Sequence, residues 1–256
     1  ITKDKAKLLE AKAIFSRAIS TYDDPHYYYN YANTLSELGE YELAQQFYKK
    51  ALKINPNYAQ AWKNLGEIYF RTHQHKKEKQ AYENALKIDP DLPEALTSLG
   101  ILMVRTGEDF KQGLQLMNRA AEISPDIFHH FQMGNFWFAK AYFGLEEYET
   151  GYSYIQRSLN LFPGNIYLLD LKRVYYWWNW LNDPKTAPIL IEFLKFRIDL
   201  DVRDLESFSM LINIYLKLND DNEVIRLLEI NTNLLKGVNN EVIFSSNISV
   251  DTYLPG

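Results

Sequence analysis

The chain has 256 residues, a formal net charge of −5, 46% hydrophobic and 15% aromatic residues, and no cysteine. That hydrophobic content excludes wholesale disorder, the lack of Cys excludes disulfides, thiol catalysis and cysteine-ligated zinc, and no basic run offers a surface for nucleic acid. No apolar stretch approaches the ~18 residues of a membrane span, and the few Gly and Pro fall mostly between periodic segments, which predicts long helices joined by short turns.

Taken in order, residues 3–21 carry Ala11, Phe15 and Ala18 on one helical face. Asp24-Pro25 then reads as an N-cap followed by a first-turn proline, opening a helix that Gly39 ends. Residues 25–58 form a two-helix unit marked by Tyr28, Tyr31-Ala32, Leu35, Ala44, Tyr48, Ala51 and Pro56. Residues 59–92 repeat it with Trp62, Leu65-Gly66, Tyr69, Tyr82, Ala85 and Pro90. Asp91 and Glu94 read as a capping box for the next unit, 93–127, which keeps Leu96, Leu99-Gly100, Gly113, Ala120 and Pro125 and whose first helix should end at Gly107. A fourth unit, 128–165, keeps Ala139, Tyr142, Gly151, Ser158 and Pro163 and places four extra residues before its first helix.

Three columns step together. Pro56, Pro90, Pro125 and Pro163 are separated by 34, 35 and 38 residues, as are Ala51, Ala85, Ala120 and Ser158, and Tyr48, Tyr82, Met117 and Ile155. Repetition at this period marks a helical repeat architecture, in which each unit buries its apolar face on its neighbours. Beyond Pro163 the pattern degrades, and helices are predicted at 165–182, 186–199, 204–218 and 221–236, where Leu211, Tyr215 and Leu218 retain the first-helix spacing. The tail 237–256 is β-branched without helical period and predicts an extended segment.

The offsets of Trp62, Leu65-Gly66, Tyr69, Tyr82, Ala85 and Pro90 resemble the tetratricopeptide repeat, a helix–turn–helix unit of about 34 residues. The resemblance spans 25–165 strongly and weakens on both sides; it implies an all-α, right-handed superhelical solenoid. On that frame residues 1–256 are one array: 3–24 a partial repeat or cap, four units to 165, divergent helices over 166–236, and the tail. The start at Ile1 suggests a chain cut from a longer array. Glu78 departs from the pattern where a small residue is usual; it must reach solvent or a partner, which would widen that helix crossing.

The resemblance also implies which residues line the concave face: His26, Tyr29, Asn30, Asn33 and Glu37 on one first helix, and Lys63, Asn64, Glu67 and Arg71 on the next. Asn30 and Asn64 occupy equivalent positions, and a row of carboxamides can grip a peptide backbone by donating and accepting at once. The chaperone-binding members' carboxylate clamp falls on Tyr29, Asn33, Asn64, Glu94 and Ser98, which keep both asparagines and lack all three cations, so that ligand is disfavoured. Farther on the inner face turns aromatic, with Met133, Phe136, Trp137, Phe143, Tyr167, Val174, Trp177 and Trp178. Such a groove would bind an apolar segment, unless the C-terminal helices cover it; Tyr175–Trp180 is apolar almost all round a helix, which argues for burial on more than one side.

Chemistry has little to stand on. His73 and His75 read as a solvated pair in a turn, His129-His130 point in different directions on a helix, and Glu146, Glu147 and Glu149 occupy another turn and read as solvated. No phosphate loop, nucleophile elbow or zinc-binding helix motif occurs, so neither catalysis, nor a metal, nor a cofactor is expected. The expected role is a non-catalytic adaptor holding another protein's extended peptide or helix in its groove. Two alternatives stand beside it: an accessory segment of a larger enzyme such as a glycosyltransferase, or a self-associating homo-oligomer. A cytoplasmic location is the expectation, with an extracytoplasmic one as the alternative.

Overall fold

The computed structural model describes residues 3–125, 134–201 and 203–236. Thirteen α-helices and no strand occur among the described residues. They are α1 (Lys3–Thr21), α2 (Pro25–Glu37), α3 (Tyr41–Ile54), α4 (Ala59–Arg71), α5 (His75–Ile88), α6 (Pro93–Thr106), α7 (Phe110–Ile123) and α8 (Gly134–Gly144). There follow α9 (Tyr148–Leu161), α10 (Ile166–Asn182), a short 3-10 turn (Pro184–Thr186), α11 (Ala187–Leu200), α12 (Leu205–Lys217) and α13 (Asp221–Lys236). Contacts gather these into two compact units, Ile1–Leu145 and Glu146–Gly256.

In the first unit α2 packs on α3, α4 on α5 and α6 on α7, while α1 covers α2 and α3 meets α4. The repeated columns are its core. Ala51, Ala85 and Ala120 are fully buried, as are Tyr48, Tyr82 and Met117. Small residues let the backbones approach, and the bulky column fills the space beside them. At Gly66 the approach is so close that a Cβ would lie 2.5 Å from the Tyr82 ring; at Gly100 it would lie 2.7 Å from the Gly113 carbonyl oxygen. Phe15 and Ile19 of α1 pack against the α2–α5 core, whereas Leu9 and Ile14 on its other side are exposed.

Between first and second helices the chain reverses through one left-handed residue. Gly39 (φ 80°) and Gly107 (φ 70°) serve where the sequence placed helix ends, but His73 (57°), Glu146 (62°) and Asn219 (57°) take the same conformation elsewhere. The residue after four of them closes the turn: Glu40, Gln74, Glu108 and Asp220 donate their backbone N–H to Leu35, Tyr69, Met103 and Tyr215. This is the Schellman arrangement that satisfies otherwise orphaned helix carbonyls.

Two local expectations are corrected. Asp24 caps α2 as predicted, accepting from His26 N at 2.7 Å. Asp91 and Glu94 make no capping box: Leu92 is the N-cap residue of α6 and no side chain caps it. Leu92 is instead buried among Ala59, Ala85 and Ala95, and Asp91 accepts from Arg119 Nε at 3.0 Å. Burying a leucine is worth about 1.5–3 kcal/mol against about 1 kcal/mol for a cap, so the packing wins. The second correction is the wider crossing expected at Glu78, whose side chain takes the other course left open to it and reaches partners rather than solvent. It is buried and bound by Arg105 of the following unit and by His75, and α4 packs on α5 as closely as α2 on α3.

In the second unit the helix ends fall within a residue or so of those predicted. Leu211 and Tyr215 are core residues, but Leu218, the C-cap of α12, is about half exposed because the left-handed turn begins there. α10 packs on both α9 and α11, as its all-round apolar surface requires. Tyr152 stacks on Tyr175 (3.9 Å between ring centroids) and Tyr148 on Trp178 (4.5 Å), while Tyr176 meets Phe193 edge-on at 5.3 Å. The Tyr175 hydroxyl donates to Glu149 at 2.8 Å, so Glu149 is engaged rather than merely solvated. A cluster of Asp170, Arg173, Arg197, Asp204 and Glu206 ties α10, α11 and the start of α12 together. The four residues preceding the fourth unit's first helix, Met133, His129-His130 and the tail 237–256 lie outside the described residues.

Candidate functional site

On α4 the helical period sends Trp62, Leu65 and Tyr69 to one side and Lys63, Asn64, Glu67 and Arg71 to the other, about 180° away. Leu65 and Tyr69 are buried core residues, while Lys63 and Asn64 are half-buried and Glu67 and Arg71 exposed. α2 supplies the adjoining Tyr29, Asn30 and Asn33, all half-buried.

These side chains are ordered by one another. Tyr48, buried beneath the face, donates its hydroxyl to Asn33 Oδ1 at 2.5 Å. Burial pushes the Tyr48 phenol well above its ordinary value, so it stays a donor. Asn64 Nδ2 donates to the same Asn33 Oδ1 at 2.9 Å and to the Tyr29 hydroxyl at 3.2 Å. The Tyr29 ring lies 4.7 Å from that of Tyr58, whose hydroxyl meets His26 Nδ1 at 3.2 Å. Burial, then the neighbouring Tyr29 and Asp24, raises the Tyr58 phenol as well. Lys63 Nζ stands 3.9 Å from Glu67.

A carboxamide has two donors and an acceptor. Asn64 spends both donors and keeps Oδ1, whereas Asn33 spends its oxygen twice and keeps its NH2. Thr97 Oγ1 is the one buried side-chain polar atom without a partner among the described residues, so the remaining valences of Asn33 and Asn64 are open to solvent. The pair thus offers a donor and an acceptor side by side. The repeat aligns Asn64 with Asn30, but the hydrogen bond joins it to Asn33, because residues on adjacent helices meet by packing rather than by repeat position.

The aromatic candidates fall apart into two groups. Phe136 and Trp137 lie on α8 in the first unit, half-buried and edge-to-face at 5.0 Å, with Lys140 Nζ 5.4 Å from the Trp137 ring. Burial, then the charge of Arg105, lowers the Lys140 ammonium's pKa. Trp177 lies on α10 in the second unit, 5.0 Å from Trp180, packed against the core that α10 to α13 share. Phe143 is buried and Trp178 stacks on Tyr148, while Tyr167 remains exposed. No group of three or more His, Asp or Glu among the described residues is placed to hold a metal ion, and no described helix is long and apolar enough to cross a membrane.

A family model described as TPR repeat matches residues 32–72, and a second, Tetratricopeptide repeat, matches 59–92. No curated protein sequence matches the chain. Among solved structures, YrrB, described as a TPR protein with an unusual peptide-binding site, aligns at TM-score 0.63 and 24% identity over 77% of this chain and 96% of its own. The C-terminal part of a TPR repeat-containing protein from Cytophaga hutchinsonii aligns at TM-score 0.62 and 18% identity, over 89% and 90% of the two chains. MamA aligns at TM-score 0.53 and 17% identity over 62% of this chain and 90% of its own. At such identities these likenesses are of fold. Tetratricopeptide repeats are thus matched over residues 32–92, and with the helix pairs on which they fall the chain is an all-α helical repeat solenoid carrying such repeats, a protein–protein interaction scaffold.

Proposed function

We propose that the face built by α2 and α4 holds an extended peptide segment of a partner protein, with Tyr29, Asn30, Asn33, Lys63, Asn64, Glu67 and Arg71 as its contacts, and that the chain acts as an adaptor without catalysis of its own. The observation that carries this is the Asn33–Asn64 pair. Its hydrogen bond is already made, and the open donor and acceptor match the alternating C=O and N–H groups of a peptide backbone. Side chains fixed in advance lose little freedom on binding, which favours affinity. Lys63, Glu67 and Arg71 line the same face and add charge of both signs for choosing among sequences. YrrB's described peptide-binding site lends support by analogy of fold.

Peptide display against the intact chain tests the reading. Selected peptides should lose affinity about tenfold on Asn33→Ala or Asn64→Ala, the loss of one or two good hydrogen bonds. Binding that survives both substitutions, and charge reversal at Lys63 and Arg71, overturns it.

A further inference from the structure

A second groove lies on the opposite side of α4. It runs between α3 and α5, with Trp62 and Tyr69 on its floor and a volume of about 440 Å³. Lys49, Lys53 and Lys77 stand around it, and no carboxylate lines it. The ammonium groups of Lys49 and Lys77 lie 5.9 and 5.8 Å from the Tyr69 ring, near enough for cation–π attraction. The lysines that do form ion pairs, Lys12, Lys63 and Lys79, lie elsewhere. In a chain of net charge −5 this is a local excess of positive charge over an aromatic floor.

One small residue, the buried Ala81, lines the groove. At the position of Ala81, the preceding second helix carries Phe47 and the following one Leu116, both half-buried and packed against the core. Ala81 thus brings less bulk to the groove wall beside Trp62 and Tyr69 than either side chain would. The charges are equally particular to this site. At the positions of Lys49, Lys53 and Lys77 the preceding pair of second helices has Phe15, Ile19 and Leu43, and the following pair Glu83, Lys87 and Gln112.

We propose that this groove is a second docking site, separate from the α2–α4 face, for an acidic peptide segment that seats one aromatic or aliphatic side chain in the space above Trp62 and Tyr69. The apolar floor takes the anchor. The three cations, which lack acidic partners in the groove, take flanking carboxylates. Lys53 and Lys77 sit ten positions apart on equivalent helices, about 15 Å of axial rise, the reach of about four or five extended residues.

The test uses the full chain and a fluorescent, N-acetylated and C-amidated heptapeptide, Glu-Asp-Glu-Phe-Glu-Asp-Glu, followed by anisotropy at low and physiological salt. The expected result is saturable binding that weakens with salt and falls about tenfold when Phe is replaced by Ala in the peptide. Lys49→Glu with Lys53→Glu should weaken both peptides. Ala81→Leu, checked for folding by circular dichroism, should weaken the Phe peptide alone; should it fail to fold, the lysine variants and the peptide pair decide. Asn33→Ala, on the opposite face, should change nothing, so the two docking sites succeed or fail independently. Equal binding of the Phe and Ala peptides, indifference to the lysine reversals, or tighter binding of a single-stranded oligonucleotide to the same lysines overturns the proposal.

Discussion

Glu78 and Arg105 join consecutive repeats through one nitrogen: Nη2 of Arg105 lies 2.9 and 2.8 Å from the two carboxylate oxygens of Glu78. The Glu78 side chain is 3% exposed and that of Arg105 22%. The guanidinium also lies 4.5 Å from the Phe70 ring, so three helices, α4, α5 and α6, meet on it.

That asymmetry predicts unequal losses. Arg105→Ala leaves the buried Glu78 carboxylate with only the half-exposed His75 and should cost about 3 kcal/mol, since removing one partner of a buried pair leaves a poorly compensated charge. Glu78→Ala restores the small residue usual in the repeat and leaves a cation that can turn to water, so it should cost much less. Urea denaturation of both variants checks the order, and a costlier Glu78→Ala would refute it.

The left-handed turns make a second prediction. A side chain in this conformation costs about 1–2 kcal/mol that glycine avoids. Glu146→Gly, at φ 62°, should therefore raise the melting temperature, and Gly107→Ala, at φ 70°, should lower it. Asn219→Gly should gain less, because asparagine tolerates the conformation best after glycine.

The close backbone approaches rank in turn. Gly100→Ala would drive a Cβ against the Gly113 carbonyl oxygen, whereas Gly66→Ala meets the Tyr82 ring. Backbone yields less than a side chain, so Gly100→Ala should be the more damaging of two substitutions that each cost about 1–3 kcal/mol. Ala85→Leu, at a fully buried column position, belongs to the same range. Equal stability of wild type and Ala85→Leu would contradict the packing register.

The ionic cluster of the second unit predicts an acid limb. Burial alone would raise the Asp204 carboxyl, but hydrogen bonds from Ser207 N and Oγ, with Arg197 and Arg173, outweigh it and hold the group below the ordinary 3.8. A carboxyl depressed in the folded state stabilises fully above its unfolded value, and that contribution is lost as pH falls through the lower folded value. Burial raises Asp170, against the pull of Arg173 and Arg197, so its contribution is present below 3.8 and is lost as pH rises through the folded value. Near-ultraviolet circular dichroism of the aromatic second unit should therefore show Asp204→Asn flattening the loss of stability below about pH 3.8 and Asp170→Asn flattening the change just above it.

Much of the fold was legible because packing repeats. The columns through Ala51 and Tyr48 mark core positions in every unit, and Gly39 and Gly107 mark turns, since each depends on local geometry alone. What escaped depends on contacts between helices far apart in sequence. Arg105, 27 residues from Glu78, cannot be read as its partner from spacing, nor can Arg119 as the residue that draws Asp91 from a cap. The candidate face was legible as a set of residues, through the repeat frame. Its internal bonding was not, because Tyr48 reads only as a core column residue until its hydroxyl is seen to reach Asn33. The aromatic run of α10 signalled burial correctly by lacking a polar side. Ala81 gave no signal at all, since what sets it apart at the groove wall is bulk that it lacks.

The most direct measurement of the peptide-holding face is a titration of the isotopically labelled chain with a display-selected peptide, followed through the side-chain amide resonances of Asn33 and Asn64. The account predicts large downfield shifts of the Asn33 NH2 protons as their open valence meets a peptide carbonyl, smaller ones at Asn64, whose NH2 is already bonded, and loss of the response in Asn33→Ala. Saturation of binding with both asparagine amides unmoved would contradict it.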